Sequence, residues 1–138
     1  MSQEVKINVS IKVIIFNKDG KILILRRCKT TKLGPLFWDF PGGTLEFGED
    51  PLKGISREIK EETGLNVQDL RVVDVSSGFN KLKEFWVTIC YTATSKALNV
   101  KISHEHDIFK WVSLKGFQKF KALPSLKIFA KKVKFKKV

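Results

Sequence analysis

The chain has 138 residues, 43% of them apolar, with 26 Lys and Arg against 14 Asp and Glu and a formal net charge of +12. That balance excludes a disordered polar chain and predicts one packed domain over residues 1–138. No apolar run approaches the ~20 residues that cross a bilayer, and the basic excess favours anionic partners: nucleotides, nucleic acid or an acidic surface.

The N-terminus, MSQEVKINVS, has no basic region leading into an apolar one, so no secretory signal is expected. Val5 to Phe16 alternates apolar with mostly polar positions, which predicts a half-buried strand. Asn17-Lys18-Asp19-Gly20 is a turn, and Lys21 to Arg27 the returning strand. Cys28 to Leu36 reads as a loop. Phe37 to Phe40 is a short apolar strand stopped by Pro41-Gly42-Gly43. A helix follows, with Asp50 as N-cap, Pro51 at its first position and Gly64 at its end. Leu52, Ile55 and Ile59 form its expected apolar face. Leu70 to Val75 is a strand, Ser76 to Lys83 a loop, and Phe85 to Thr94 a strand rich in aromatic and β-branched residues. Ser95 to Ser103 is a loop with room for a short strand. Phe109 to Val112 is a short strand, and Ser113 caps a short helix. Pro124 opens a last helix with Leu126, Phe129, Ala130 and Val133 on one face. This mixed order predicts an α/β or α+β domain. Cys28 and Cys90 lack a CxxC partner and read as buried or half-buried thiols in a reducing, cytoplasmic setting.

Within this basic chain, Glu49, Asp50, Glu58, Glu61 and Glu62 all fall between Gly43 and Leu65. On a helix, Glu58, Glu61 and Glu62 stand at i, i+3 and i+4, which makes them neighbours. Carboxylates that close repel unless a cation sits between them, and Mg²⁺ or Mn²⁺ suits oxygen donors. Arg57, four residues before Glu61, can orient one of them. Gly54 lies on the acidic side and is expected to leave room for a ligand. Pro41-Gly42-Gly43 brings bare backbone to the helix start, where a carbonyl can add an oxygen ligand. A solvated charged face is the competing reading. It accounts neither for the Pro-Gly-Gly entry nor for Glu49 ahead of the cap.

Gly43-x5-Glu49-x7-Arg57-Glu58-Ile59-x-Glu61-Glu62-x-Gly64-Leu65 resembles a complete Nudix box. Phe37-Trp38-Asp39-Phe40-Pro41 resembles the family's lead-in. The resemblance implies the Nudix fold, an α/β/α sandwich around a mixed sheet. It also implies hydrolysis of a nucleoside diphosphate linked to another moiety, with Mg²⁺ or Mn²⁺. Glu58, Glu61 and Glu62 are then the metal-binding acids, with Glu58 alternatively the general base or its partner. Arg57 positions a box glutamate, Glu49 is a supporting ligand, and Gly42 offers its carbonyl.

Outside the box, the resemblance places a phosphate-contacting arginine at Arg26 or Arg27. Successive strand residues face opposite ways, so at most one of them reaches the ligand. In His104-Glu105-His106-Asp107 the resemblance picks Glu105 as a further metal ligand or base. His104 and His106 are expected to orient neighbours or contact substrate. Trp38, Phe85 and Trp86 either stack on a base or belong to the core. Lysines 127, 131, 132, 134, 136 and 137 give the last helix either a solvated face or a track for RNA or polyphosphate. Nucleoside triphosphates are slightly favoured as substrates. The alternatives are a non-catalytic nucleotide- or RNA-binding module and an enzyme of RNA 5′ ends, acting as a monomer or homodimer.

Overall fold

A computed structural model describes residues 5–135. Seven strands and three helices follow in the order β1 (Ile7–Phe16), β2 (Ile22–Arg27), β3 (Trp38–Asp39), β4 (Gly42–Thr44), α1 (Pro51–Thr63), β5 (Gln68–Phe79), β6 (Phe85–Thr94), β7 (His106–Val112), α2 (Leu114–Phe117) and α3 (Pro124–Lys132). One mixed sheet has the path β3-β2-β1-β6-β5, with β4 joined to β1 and β7 to β2. β1 runs parallel to β6, while its pairings with β2 and β4 are antiparallel.

Alternation along β1 sends its side chains to two cores. Ile14 and Phe16 join Ile22, Ile24, Phe40 and the α2–α3 residues Phe117 and Phe129. Ile11, Val13 and Ile15 join Leu23, Leu25 and the α1 residues Ile55 and Ile59. Helices therefore cover both faces of the sheet, as an α/β/α sandwich requires. This corrects the half-buried expectation for β1: Val13 to Phe16 are buried on both faces.

Asn17 closes the β1–β2 turn, its side-chain oxygen accepting from the Asp19 and Lys21 N–H groups at 2.9 and 3.0 Å. The predicted caps of α1 are present. Asp50 accepts from the Lys53 N–H, and Gly64 turns left-handed with φ 70°. Ser113 caps α2 through the Gly116 N–H.

Four expectations change. Gly42 and Gly43 do not merely stop a strand; they belong to β4 and pair with Lys12 and Ile11. β5 continues to Phe79 through the expected loop, because β6 offers it a full ten-residue edge. β7 begins at His106, earlier than Phe109, because β2 pairs with it back to Arg27. Ser95 to Ser103 contains no strand. In α3, Leu126, Phe129 and Ala130 are buried as expected. Lysines 136 and 137 lie outside the described residues. Among those residues no helix is long and apolar enough to cross a membrane.

Candidate active site

α1 presents its acids at three different depths. Glu61 is exposed, Glu58 is half-buried and Glu62 is only 4% exposed. Leu52 was expected on the buried face but is 50% exposed. The buried face of α1 comprises Gly54, Ile55, Ile59, Glu62 and Thr63. Helix α1 thus turns one carboxylate inward with its apolar stripe.

Arg57 organises the others. Its Nε and Nη2 donate to the two Glu49 oxygens at 3.0 and 3.2 Å. Its Nη1 lies 3.1 Å from both Glu58 Oε1 and Glu61 Oε2. One planar cation therefore fixes three carboxylates, a task suited to guanidinium geometry. The Arg57 bonds hold the Glu49 carboxyl below its usual range. Gly54 is the second correction. A Cβ there would meet the Glu49 carboxylate at 3.0 Å and Ile11 Cδ1 at 3.1 Å. The missing side chain makes room for Glu49 and the sheet, not for a ligand.

Gly42 and Gly43 enter for related reasons. The Gly42 N–H donates to Glu62 Oε1 at 2.8 Å. A Cβ on Gly43 would lie 2.6 Å from Glu58 Oε1. The bare backbone of β4 thus lets both carboxylates approach the sheet. Gly42 reaches the acids through its N–H, whereas the sequence pointed to its carbonyl.

Burial pushes the Glu62 carboxyl from 4.5 up to about 8, against the opposing pull of Lys12 and the Gly42 N–H. Burial also raises the Glu58 carboxyl, with Arg57 pulling it back. A buried carboxylate facing other carboxylates fits a divalent cation, which would offset the repulsion. The donor set of Glu58, Glu61 and Glu62 therefore suits such an ion. Because the folded Glu62 holds its proton to a higher pH than the unfolded chain, its contribution is fully present below about 4.5 and is lost as pH rises through about 8. Metal-free protein should melt at progressively lower temperature between those limits. Mg²⁺ should restore more stability at the upper end, and Glu62→Gln should flatten the profile. A pH series of thermal melts tests this; a profile unchanged in Glu62→Gln would rule Glu62 out as its source.

The acids border a cleft of about 1430 Å³. Lys12, Arg27, Asp39 and Trp86 also line it. Lys12 Nζ sits 2.9 Å from Asp39 Oδ2. The sequence reading missed Lys12. Its signal was a lone cation in the apolar run Ile11 to Phe16.

Of the two candidate arginines, Arg27 lines the cleft. Arg26 instead forms a two-pronged pair with Asp107, at 2.9 Å for each bond. Trp38 does not stack over the cleft; it is 9% exposed and packs edge-on against Phe120 at 5.3 Å. Phe85 packs on Phe79 at 5.2 Å. Period-2 alternation puts its neighbour Trp86 in the cleft instead, with a buried Nε1–H that lacks a hydrogen-bond partner among the described residues. Glu105 does reach the acids, bordering a smaller hollow with Glu58, Glu61, Glu62 and His104.

The family model described as NUDIX domain matches residues 6–133. The MutT protein of Methanosarcina mazei Go1 superposes with a TM-score of 0.82 and 27% identity, covering 94% of each chain. An RNA pyrophosphohydrolase of Acinetobacter baylyi is 26% identical over 121 residues, which are 73% of this chain and 70% of that protein. The m7GpppN-mRNA hydrolase NUDT17 of Xenopus laevis is 38% identical over 64 residues, 46% of this chain but only 22% of that protein.

Proposed function

This chain belongs to the Nudix family, and from that we infer that it is a pyrophosphohydrolase acting on a nucleotide-type substrate. The observation that carries the reading is the Arg57-bound set of Glu49, Glu58 and Glu61, of which Glu58, together with buried Glu62, lines a cleft shared with Lys12 and Arg27. Acids on one side and cations on the other suit a polyphosphate held by both.

Glu58, Glu61 and Glu62 would hold Mg²⁺ or Mn²⁺, with Glu49 and Glu105 in support. Bound there, a divalent ion supplies positive charge against the phosphate oxygens and lowers the pKa of water. The chain's own residues do the rest. Arg57 keeps Glu58 and Glu61 aimed together. Glu58, raised toward neutrality by burial, accepts the proton of the attacking water. Arg27 contacts the phosphates, and Lys12, paired with Asp39 at 2.9 Å, holds that carboxylate at the cleft.

Arg27→Ala should raise KM about tenfold or more, since a hydrogen bond to a charged group is worth about 1.5–3 kcal/mol. Arg26→Ala should leave KM unchanged, because Asp107 already occupies that guanidinium. Steady-state kinetics separates the two, and the reverse ranking would reassign the phosphate contact.

Nucleoside triphosphates are the preferred substrate class, because the cleft joins the acids to the apolar residues Phe37, Trp86 and Phe129. A second reading, triphosphorylated RNA 5′ ends, draws on Lys121 and Lys132 at the same cleft and on the Acinetobacter relative. A panel of nucleotides and 5′-triphosphorylated RNA, run with Mg²⁺ and with Mn²⁺ in ¹⁸O-water, tests both readings and locates the phosphorus attacked. No hydrolysis across the panel would sink the enzymatic reading.

A further inference from the structure

We propose that Glu62, Glu105 and His106 form a mixed oxygen–nitrogen cation subsite, in which a His106 ring nitrogen binds a divalent transition-metal ion. The proposal deepens the reading above, because Glu62 serves both it and the box. One potential ligand atom from each of the three residues lies within 4.8 Å of the others. Donors about 2.0–2.2 Å from one ion lie at most about 4.4 Å apart, so the side chains close in to complete the set.

His106 is the independent observation. Its side chain belongs to a residue only 8% exposed, and it lines the acid-bordered cleft. Its Nδ1 is buried and has no hydrogen-bond partner among the described residues. Buried polar atoms normally find partners, and an exception asks what the atom is for. The backbone around it is tied by hydrogen bonds. The His106 N–H donates to the Ser103 carbonyl at 3.2 Å, and the Cys28 N–H donates to the Glu105 carbonyl at 3.1 Å. At the start of β7, the pairing of His106 with Arg27 follows a register shift in β2. Such bulges re-aim a side chain next to functional sites.

The donor chemistry points away from Mg²⁺. Carboxylate oxygen suits Mg²⁺, Ca²⁺ and Mn²⁺ alike, but imidazole nitrogen favours the transition ions.

Mn²⁺ is the probe. The chain has two histidines, so nitrogen coupling can be assigned without ambiguity. Electron spin-echo spectra of the Mn²⁺-loaded protein should show imidazole nitrogen coupling. That coupling should survive His104→Gln and vanish in His106→Gln. Mn²⁺ affinity should fall by at least about tenfold in His106→Gln, the loss typical when even a partner of a metal ligand is removed. If His106→Gln does not fold, wild-type protein carrying ¹⁵N-histidine gives the answer instead, through a shifted coupling pattern. Absence of nitrogen coupling in wild-type protein overturns the subsite, as does coupling that persists in folded His106→Gln. Hydrolysis of nucleotides with Mg²⁺ is measured on the same samples. Hydrolysis without nitrogen coupling removes the subsite alone. Nitrogen coupling without hydrolysis keeps the subsite and removes the hydrolase reading.

Discussion

Glu58→Gln should lower kcat for pyrophosphate cleavage by about 100- to 10,000-fold, the range for losing a positioned general base. The substitution keeps the side chain's shape but removes its capacity to accept a proton, together with the charge it offers Arg57 and a bound cation. Glu58 is the acid whose surroundings best suit that task. Its side chain is 13% exposed and lies 3.1 Å from Arg57 Nη1. Burial lifts its proton affinity, Glu61 and Glu105 lift it further, and Arg57 restrains the rise. Stability should hold or improve, because a half-buried charge among other carboxylates is removed. Single-turnover kinetics with a thermal melt checks both parts. If Glu105→Gln proves the more damaging change while Glu58→Gln keeps wild-type kcat, the base assignment moves to Glu105.

Gly42→Ala should destabilise the fold by more than about 4 kcal/mol, the rare upper end for a single substitution. Gly42 has φ 149°, a conformation that residues with a Cβ rarely adopt. The added Cβ would land on the Ile11 carbonyl oxygen in the neighbouring strand. Backbone on backbone cannot yield as a flexible side chain can. The Glu62 bond to the Gly42 N–H would move as well. Gly43→Ala is the informative contrast. There the obstacle is the Glu58 carboxylate at 2.6 Å, which can swing aside. Gly43→Ala should therefore remain folded and lose activity. Urea denaturation alongside kinetics separates the two; a stable, active Gly42→Ala would refute the close approach of β4 to β1.

The helix with its acids was legible because local chemistry decides it. Asp50, Pro51 and Gly64 punctuate α1 in any fold. The spacing of Glu58, Glu61 and Glu62 follows from helical geometry alone. Their depths were not legible, because depth depends on what packs against each turn. Leu52 is apolar and exposed, while Glu62 is acidic and buried. The sequence leaves the choice between stacking and core open for the aromatic residues for the same reason. Trp38 and Phe85 are as suitable for stacking as Trp86. Only strand register decides which ring meets the cleft. Arg26 and Arg27 show the rule at its clearest: alternation predicted that one reaches the site, and Asp107 identifies the other. Lys12 is quiet in the sequence because its partner Asp39 lies far along the chain.

The parallel pairing of β1 with β6 joins Ile7 to Phe85 and Phe16 to Thr94. The acid-bearing motif is complete by Leu65, so it is synthesised before β6, the strand that pairs along the whole of β1. Contacts between distant segments form slowly, since loop closure precedes any gain from pairing. A fragment ending after α1 should therefore carry every box acid and still lack an organised centre. The motif is local in sequence, but its activity is a property acquired late, when the second half of the chain closes over the first.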